Sequence, residues 1–337
     1  MELKGLTIAV TGSNGFIGSH TAKLLMEHGA FVIGVDRRSG PMNSHTVRGE
    51  YNDEQIIADL ELHEVDGIVH CAGTSLVGPS VMNPSLYYNN NVAKTISMLD
   101  QIRKWNNLPF VVFSSSAAVY GNPEFSFSDT NQPLTERDPK KPCNPYGRTK
   151  LMIEDILADY SKAYGIDSFS LRYFNACGAH GGLGPEKGDT HLIPQIFQAY
   201  YEKRTFKMFG DDYFTEDGTC IRDYIHVQDL ARAHMVSVAA LAYGHDGVDT
   251  TGASVYNLGT GIGLSNMQIL NEFERLMCYT GPKKGLDWCW APRREGDPDF
   301  LVAHGGKFCI DFDFHTEFSD LQTIMESTKE FYDKNNK

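Results

Sequence analysis

The chain predicts an α/β fold, a doubly wound parallel sheet joined to a smaller, interleaved α/β lobe. Three observations carry that expectation. Strand-like and helix-like segments alternate through the first half of the 337 residues. A glycine-rich turn follows the first strand and opens a helix. The stretch Cys177 to Gly188 is dense in Gly and Pro, the best place for a crossing into a second lobe. The expected boundaries are 1–176 for the first domain and 177–337 for the second lobe, with later returns to the first near 222–240 and 254–262.

Lys4 to Val10 reads as a buried strand and Phe31 to Asp36 as a second. Between them, His20 to His28 has a helical stripe of Thr21, Leu24, Leu25 and His28. Val65 to His70 is a third strand, ending at Cys71-Ala72-Gly73. Pro84 to Trp105 is expected as one long helix, with Leu86, Val92, Ile96, Leu99 and Ile102 on its apolar face. Phe110 to Ser114 is a strand, Asn144 to Tyr164 a helix, Ser168 to Tyr173 a strand and Leu192 to Tyr200 a helix. The later strand-like pieces Tyr224 to Val227 and Val255 to Leu258 are expected to return to the first lobe.

Apolar residues make up 41% of the chain and charged residues 22%, the balance of an ordinary globular protein. Lys plus Arg number 30 against 43 Asp plus Glu, a net charge of −13, which argues against a nucleic-acid-binding face. A local basic pocket for a phosphorylated small molecule stays open. The start lacks the basic residues and long apolar core of a signal peptide. The longest stretch free of Asp, Glu, Lys and Arg, Gly67 to Ala93, is interrupted by Gly73, Gly78, Pro79 and Pro84, so no membrane helix is expected there. A cytoplasmic location follows as the expectation. The cysteines at 71, 143, 177, 220, 278, 289 and 309 form no CxxC, and no histidine pair has ligand spacing, so no metal is expected.

The turn reads Thr11-Gly12-Ser13-Asn14-Gly15-Phe16-Ile17-Gly18. Glycines at this spacing permit a tight turn, close approach of a pyrophosphate and close packing of helix on sheet. Asp36, at the end of the second strand, suits the ribose hydroxyls of NAD and would repel the 2′-phosphate of NADP. Arg37 and Arg38 pull the other way, because an arginine there can pair with such a phosphate. Ser114, Ser115 and Ser116 end a strand on the side where α/β sheets bind ligands. Tyr146 and Lys150 lie one helical turn apart on one face. A free tyrosine has a pKa of about 10, and bringing it near 7 costs about 4 kcal/mol. A neighbouring ammonium and a cationic nicotinamide can supply that stabilisation, helped by the position of Tyr146 in the first helical turn.

The glycine turn, Ser116 and Tyr146-x-x-x-Lys150 together resemble the extended short-chain dehydrogenase/reductase family. Longer runs narrow the likeness: His70-x-Ala72-Gly73, Phe113 to Gly121, Asn144 to Lys150, Leu171 to Gly178, Thr215 to Val227, Tyr256 to Gly259 and Ala291 to Asp297. Across about residues 5 to 300 the chain is similar to the family of UDP-glucose 4-epimerases. That resemblance implies a Rossmann-type domain and reversible inversion at C4 of a UDP-hexose. Tyr146 would remove the 4-hydroxyl proton while C4 passes hydride to tightly held NAD. Ser116 would hydrogen-bond O4, and Lys150 would hold the nicotinamide ribose.

The resemblance further implies a cofactor set of Gly12, Asn14, Gly15, Phe16, Ile17, Gly18, Asp36, Glu50, Tyr51, Cys71, Ala72, Gly73, Asn91, Ser114 and Tyr173, beside Tyr146 and Lys150. The nucleotide-sugar set it implies is Asn175, His191, Leu192, Lys207, Phe209, Arg222, Arg294, Asp297 and Leu301, beside Ser116 and Tyr146. Arg222 and Arg294 would meet the diphosphate, Phe209 the uracil and Asp297 ribose hydroxyls. Departures from the family pattern fall at Ser75, Glu50, His191, Lys207 and Leu301, and the tail from His304 hardly resembles it. Leu301 stands where side-chain size governs entry of N-acetylated sugars, so a UDP-N-acetylhexosamine, UDP-pentose or UDP-uronate is the alternative substrate. Ala117 and Ala118 stand where related dehydratases and decarboxylases carry acids. The non-enzymatic alternative, an NAD-binding regulator of this fold, would be expected to lack Tyr146, Lys150 or Ser116. A homodimer through the helices at 84–105 and 144–164 is also implied.

Overall fold

The computed structural model of the protein describes residues 2–38, 40, 44–122, 132–186, 188–280, 285–294 and 297–335, with 279 and 280 as backbone alone. Glu295 and Gly296 of the Ala291–Asp297 run therefore lie outside the described residues. β1 (Thr7–Thr11) leads into α1 (Phe16–Glu27), β2 (Phe31–Asp36), β3 (His45–Arg48), α2 (Glu54–Leu62) and β4 (Gly67–His70). Then come α3 (Val77–Met82), α4 (Pro84–Tyr87), a π-helical turn (Tyr88–Ala93) and α5 (Lys94–Ile102). β5 (Phe110–Ser114), α6 (Pro145–Tyr164) and β6 (Ser168–Tyr173) complete the first half. The second half runs β7 (Asn175–Cys177), α7 (Leu192–Glu202), β8 (Phe206–Phe209), β9 (Ile221–His226), α8 (Val227–Tyr243) and β10 (Ala253–Leu258). It ends with β11 (Gly263–Ser265), α9 (Asn266–Thr280), β12 (Trp288–Ala291), β13 (Phe300–Leu301), α10 (Gly306–Phe312) and α11 (Leu321–Asn335).

Seven strands form one wholly parallel sheet in the order β10-β6-β5-β4-β1-β2-β3. Such a sheet must be covered on both faces, which is why β1, β2, β4 and β5 at its centre are largely apolar and buried. On one face α1 and α8 bury Leu24, Leu25, Leu230 and Val238 against Val10 and Val112. On the other, α2, α5 and α6 bury Ile57, Leu99 and Leu157 against Ile33 and Ile68. Truncating a side chain such as the fully buried Leu25 to Ala costs about 2–5 kcal/mol in cores of this kind. The strand order reverses between β1 and β4, the place where sheets of this topology open a ligand crevice.

The smaller lobe has two sheets. β9 pairs with β7 and β13 in parallel and with β11 antiparallel, while β8 pairs with β12. Phe197, Met208, Phe273, Ile324 and Tyr332 build its core from α7, β8, α9 and α11. The tail is therefore structural. Phe308 and Phe312 of α10 pack on Tyr256 of the large sheet, with ring centroids 5.4 Å away in each case.

Several expectations change. The first strand begins at Thr7, after a turn at Gly5, and the first helix starts at Phe16, before its apolar stripe shows. The span Pro84–Trp105 is not one regular helix, because the π-helical turn interrupts it and α5 ends at Ile102. The strand near Tyr224–Val227 joins the small sheet and not the large one. Its return to the first lobe begins with α8, which lies against α1. The reason is local: β9 is hydrogen-bonded on both sides by short strands of the second lobe. Beside Arg222, the buried Asp223 carboxylate accepts from the backbone N–H groups of Thr260 (2.9 Å), Gly261 (3.0 Å) and Ala303 (3.2 Å). One side chain thus fastens the small sheet to the turn that leaves β10.

Candidate active site

A cleft of about 1010 Å³ follows the C-terminal ends of β1, β2, β4, β5 and β6 and continues to β7, β9 and β13. At one end Gly12, Gly15, Phe16, Ile17 and Gly18 line it with the first turn of α1. A Cβ at Gly18 would lie 2.2 Å from the Gly12 carbonyl oxygen, so only glycine lets helix and turn approach this closely. The Ser13 hydroxyl is fully buried at the turn and finds no partner among the described residues. Asp36 ends β2 on the same wall; its carboxylate accepts from Asn14 N (3.0 Å) and Arg38 N (2.8 Å). These features fit a dinucleotide, with amides and a helix N-terminus for its phosphates and a carboxylate for a ribose. Arg38 does not stand free for a 2′-phosphate, since its guanidinium pairs with Glu186 at 2.9 Å. Glu50 and Tyr51 lie farther along, with Glu50 paired to Lys94 at 3.0 Å.

At the centre, Cys71, Ala72, Gly73, Ser116, Tyr146, Lys150 and Tyr173 come together on the cleft wall. Asn144 caps α6, its side chain accepting from Gly147 N at 2.8 Å, and Pro145 follows at the first helical position. The cap places Tyr146 in the first turn. A Cβ at Gly147 would lie 2.3 Å from the Ala118 carbonyl oxygen, so a larger residue there would separate this helix from the end of β5. The Lys150 ammonium donates to the Ser114 carbonyl at 2.7 Å and lies 4.7 Å from the Phe113 ring centroid. Burial lowers its pKa to about 8, while Cys71 and Glu154 pull it back up. Burial pushes the Tyr146 phenol up to about 12, and the neighbouring Ser116 side chain pulls against it.

Lys150 Nζ lies over the Tyr146 ring, 5.8 Å from its centroid. Asn91 and Ser114 do not line the cleft but support it. Asn91 accepts from Thr74 N (2.8 Å) and donates to Thr74 O and Thr149 Oγ1 (both 3.0 Å), tying the loop after β4 to α6. The π-helical turn re-aims it, a common use of such turns at functional sites. The Ser114 hydroxyl faces Cys71 Sγ (3.1 Å) and His234 Nε2 (3.0 Å). Asn14 supports in the same way, through Asp36 and through the Arg38 carbonyl at 2.6 Å.

At the far end, Asn175, His191, Arg222, Asp297 and Leu301 line the cleft. Their charges are already matched. Arg222 donates to Asp297 at 2.5 Å, and Tyr213 donates to the same carboxylate at 3.2 Å. Burial pulls the His191 imidazole down, but the Asp189 carboxylate, 2.5 Å from its Nδ1, reverses that and raises it overall. Leu192, Lys207, Phe209 and Arg294 are not on the cleft wall. Leu192 packs on the core of the small lobe. Lys207 alternates with the buried Phe206 and Met208 along β8, so it projects to solvent. The Arg294 guanidinium covers the Phe209 ring at 4.3 Å and is close enough to His191 to oppose its protonation. Asp189 and Glu186 went unmarked in the sequence; the only signal there is the short spacing Asp189-x-His191. No cluster of three or more metal-binding side chains occurs among the described residues.

The model of the NAD dependent epimerase/dehydratase family matches residues 8–259. A UDP-glucose 4-epimerase of Halalkalibacterium halodurans is 39% identical over 331 residues, covering 95% of this chain and 94% of that protein. The crystal structure of UDP-glucose 4-epimerase from Brucella ovis in complex with NAD is similar at TM-score 0.87 and 39% identity, covering 97% of this chain and 99% of that one. The Bifidobacterium longum enzyme in complex with NAD+ and UDP follows at TM-score 0.85 and 34% identity, with 98% of each chain covered.

Proposed function

This chain belongs to the NAD dependent epimerase/dehydratase family, and on that premise we propose that its cleft inverts C4 of UDP-glucose and UDP-galactose. It is an NAD-dependent isomerase, and the observation that carries this reading is the joint placement of Tyr146, Ser116 and Lys150 on one cleft wall. NAD, held by the glycine turn, Asp36 and Lys150, would supply the hydride acceptor and donor for C4. The chain's own groups do the rest. The Tyr146 phenolate takes the 4-hydroxyl proton and later gives it back. Ser116, on the same cleft wall as Tyr146, shares that proton's path. Lys150, anchored on the Ser114 carbonyl, holds the nicotinamide ribose. Gly12, Gly15 and the first turn of α1 hold the pyrophosphate, and Asp36 a ribose.

Arg222 and His191, both on the cleft wall, hold the UDP diphosphate. Ala117 and Ala118 leave the end of β5 without an acid, so elimination from the sugar has no proton donor there. Leu301 on the cleft wall is the residue that sets how large a C2 substituent enters. The chain forms a homodimer through the helical spans 84–105 and 144–164, whose Leu86 and Met152 are exposed apolar side chains. It acts in the cytoplasm; no described helix is long and apolar enough to cross a membrane. Incubation with UDP-galactose or UDP-glucose, without added NAD, is expected to give the other sugar nucleotide by chromatography. No conversion of either would overturn the reading.

A further inference from the structure

Behind the reacting wall lies a charge pair that the chemistry above does not use. Arg172 of β6 and Glu154 of α6 are almost wholly buried, at 3% and 4% side-chain exposure. The guanidinium donates to both carboxylate oxygens, through Nε (2.9 and 3.1 Å) and Nη2 (2.5 Å). Its Nη1 donates to the Tyr120 hydroxyl at 3.0 Å, which donates in turn to Asn257 Oδ1 at 2.6 Å. The Ser115 hydroxyl donates to the same Glu154 carboxylate.

Two buried charges lose hydration that their attraction rarely exceeds, and well-packed apolar residues often serve stability as well. A fully bonded pair of this kind therefore asks for a reason of position. Its place supplies one. Glu154 is one turn beyond Lys150 on the same helix, and Ser115 lies between Ser114 and Ser116. On one side the Ser114 carbonyl receives the Lys150 ammonium; on the other Ser116 lines the cleft with Tyr146. Moving Ser115 by a fraction of an ångström would move both neighbours together.

We propose that the Glu154–Arg172 pair positions the reaction centre: by holding Ser115, it sets the register in which the end of β5 meets Tyr146 and Lys150. The inference rests on the epimerase reading for its kinetic consequence, but its geometry does not. Glu154 also faces the Lys150 charge, together with His70, Cys71 and the Tyr146 ring, and of these it is a carboxylate that favours the ammonium.

The test uses Glu154→Gln and Ser115→Ala in the full chain, beside the wild type. Glu154→Gln is expected to lower kcat about tenfold or more while KM for the UDP-sugar and the NAD content stay within about twofold. Ser115→Ala leaves the ion pair intact and is expected to lower kcat about threefold to tenfold on the same pattern. It carries the test if Glu154→Gln does not fold. NMR of lysine-labelled protein, with the Lys150 signal assigned through Lys150→Met, should show that group titrating at lower pH in Glu154→Gln and, by less, in Ser115→Ala. Wild-type kcat and an unmoved Lys150 titration in the folded variants would overturn the inference. A wild-type protein that converts no UDP-glucose would overturn the epimerase reading instead, with the Lys150 titration still deciding the positioning.

Discussion

The two ends of the cleft hold their charges by different means. At the dinucleotide end the wall is chiefly backbone: a glycine turn, the first amides of α1 and a carboxylate already fastened by Asn14 N and Arg38 N. At the sugar-nucleotide end it is chiefly side chain, and each charged group has a partner from the protein, Asp297 for Arg222 and Asp189 for His191. Backbone amides cannot be traded away and need no rearrangement to meet a phosphate. Paired side chains must exchange or share their partners, so specificity at that end depends on what the ligand offers in return. The first end is a cradle suited to a resident group, the second a set of contacts suited to a visitor.

The sharpest way to break that contrast acts between the two ends. Tyr146→Phe removes the proton acceptor and is expected to cut kcat about 10²–10⁴-fold, leaving NAD bound, as read by turnover and by the absorbance of extracted cofactor. Loss of NAD from this variant would show that the centre also holds the cradle together. Arg222→Ala is expected to weaken UDP binding about tenfold or more in calorimetry, with NAD content unchanged, because it removes a charge-assisted donor and strands Asp297. A fall in NAD content would merge the two ends. The pH profile comes next in size. Burial lowers Lys150 to about 8, so the protonated form needed at the ribose is lost as pH rises through that value. Activity should therefore fall on the alkaline side near pH 8, and also fall with decreasing pH as the Tyr146 phenolate is lost. Lys207→Ala is the smallest: its side chain leaves β8 toward solvent, and UDP affinity should change by less than about twofold.

Legibility in the sequence follows the same division. Phe31–Asp36, Phe110–Ser114 and Ser168–Tyr173 read correctly to the residue; the first two are apolar runs and the third alternates Ser168, Ser170 and Arg172 with Phe169, Leu171 and Tyr173. The glycine turn, Asp36, Ser116, Tyr146 and Lys150 are legible for a related reason: each occupies a fixed place relative to a long element. Short strands of two to four residues, such as β8, β12 and β13, carry no period to detect. That is why Lys207 and Phe209 resemble cleft residues in sequence while strand alternation and the cover of Arg294 keep both off its wall. The π-helical turn is equally hidden, since its one inserted residue leaves the apolar stripe of the surrounding helices almost unchanged. The pairing of Arg38 with Glu186 joins residues 148 positions apart, which no local pattern records.

The Asp223 carboxylate, accepting from two amides of the turn beyond β10 and from Ala303 N just past β13, has a consequence for motion. A domain that closes over its ligand needs a few residues free to swing, with little else joining the halves. Here the chain passes back and forth between sheets at β7, α8 and β11, and a buried anion stitches the crossing from inside. Those bonds tie the two walls where the chain crosses between them. Opening one wall from the other there would strand a buried carboxylate, so an inversion that shows both faces of one carbon to a single hydride carrier is served by rotation of the sugar.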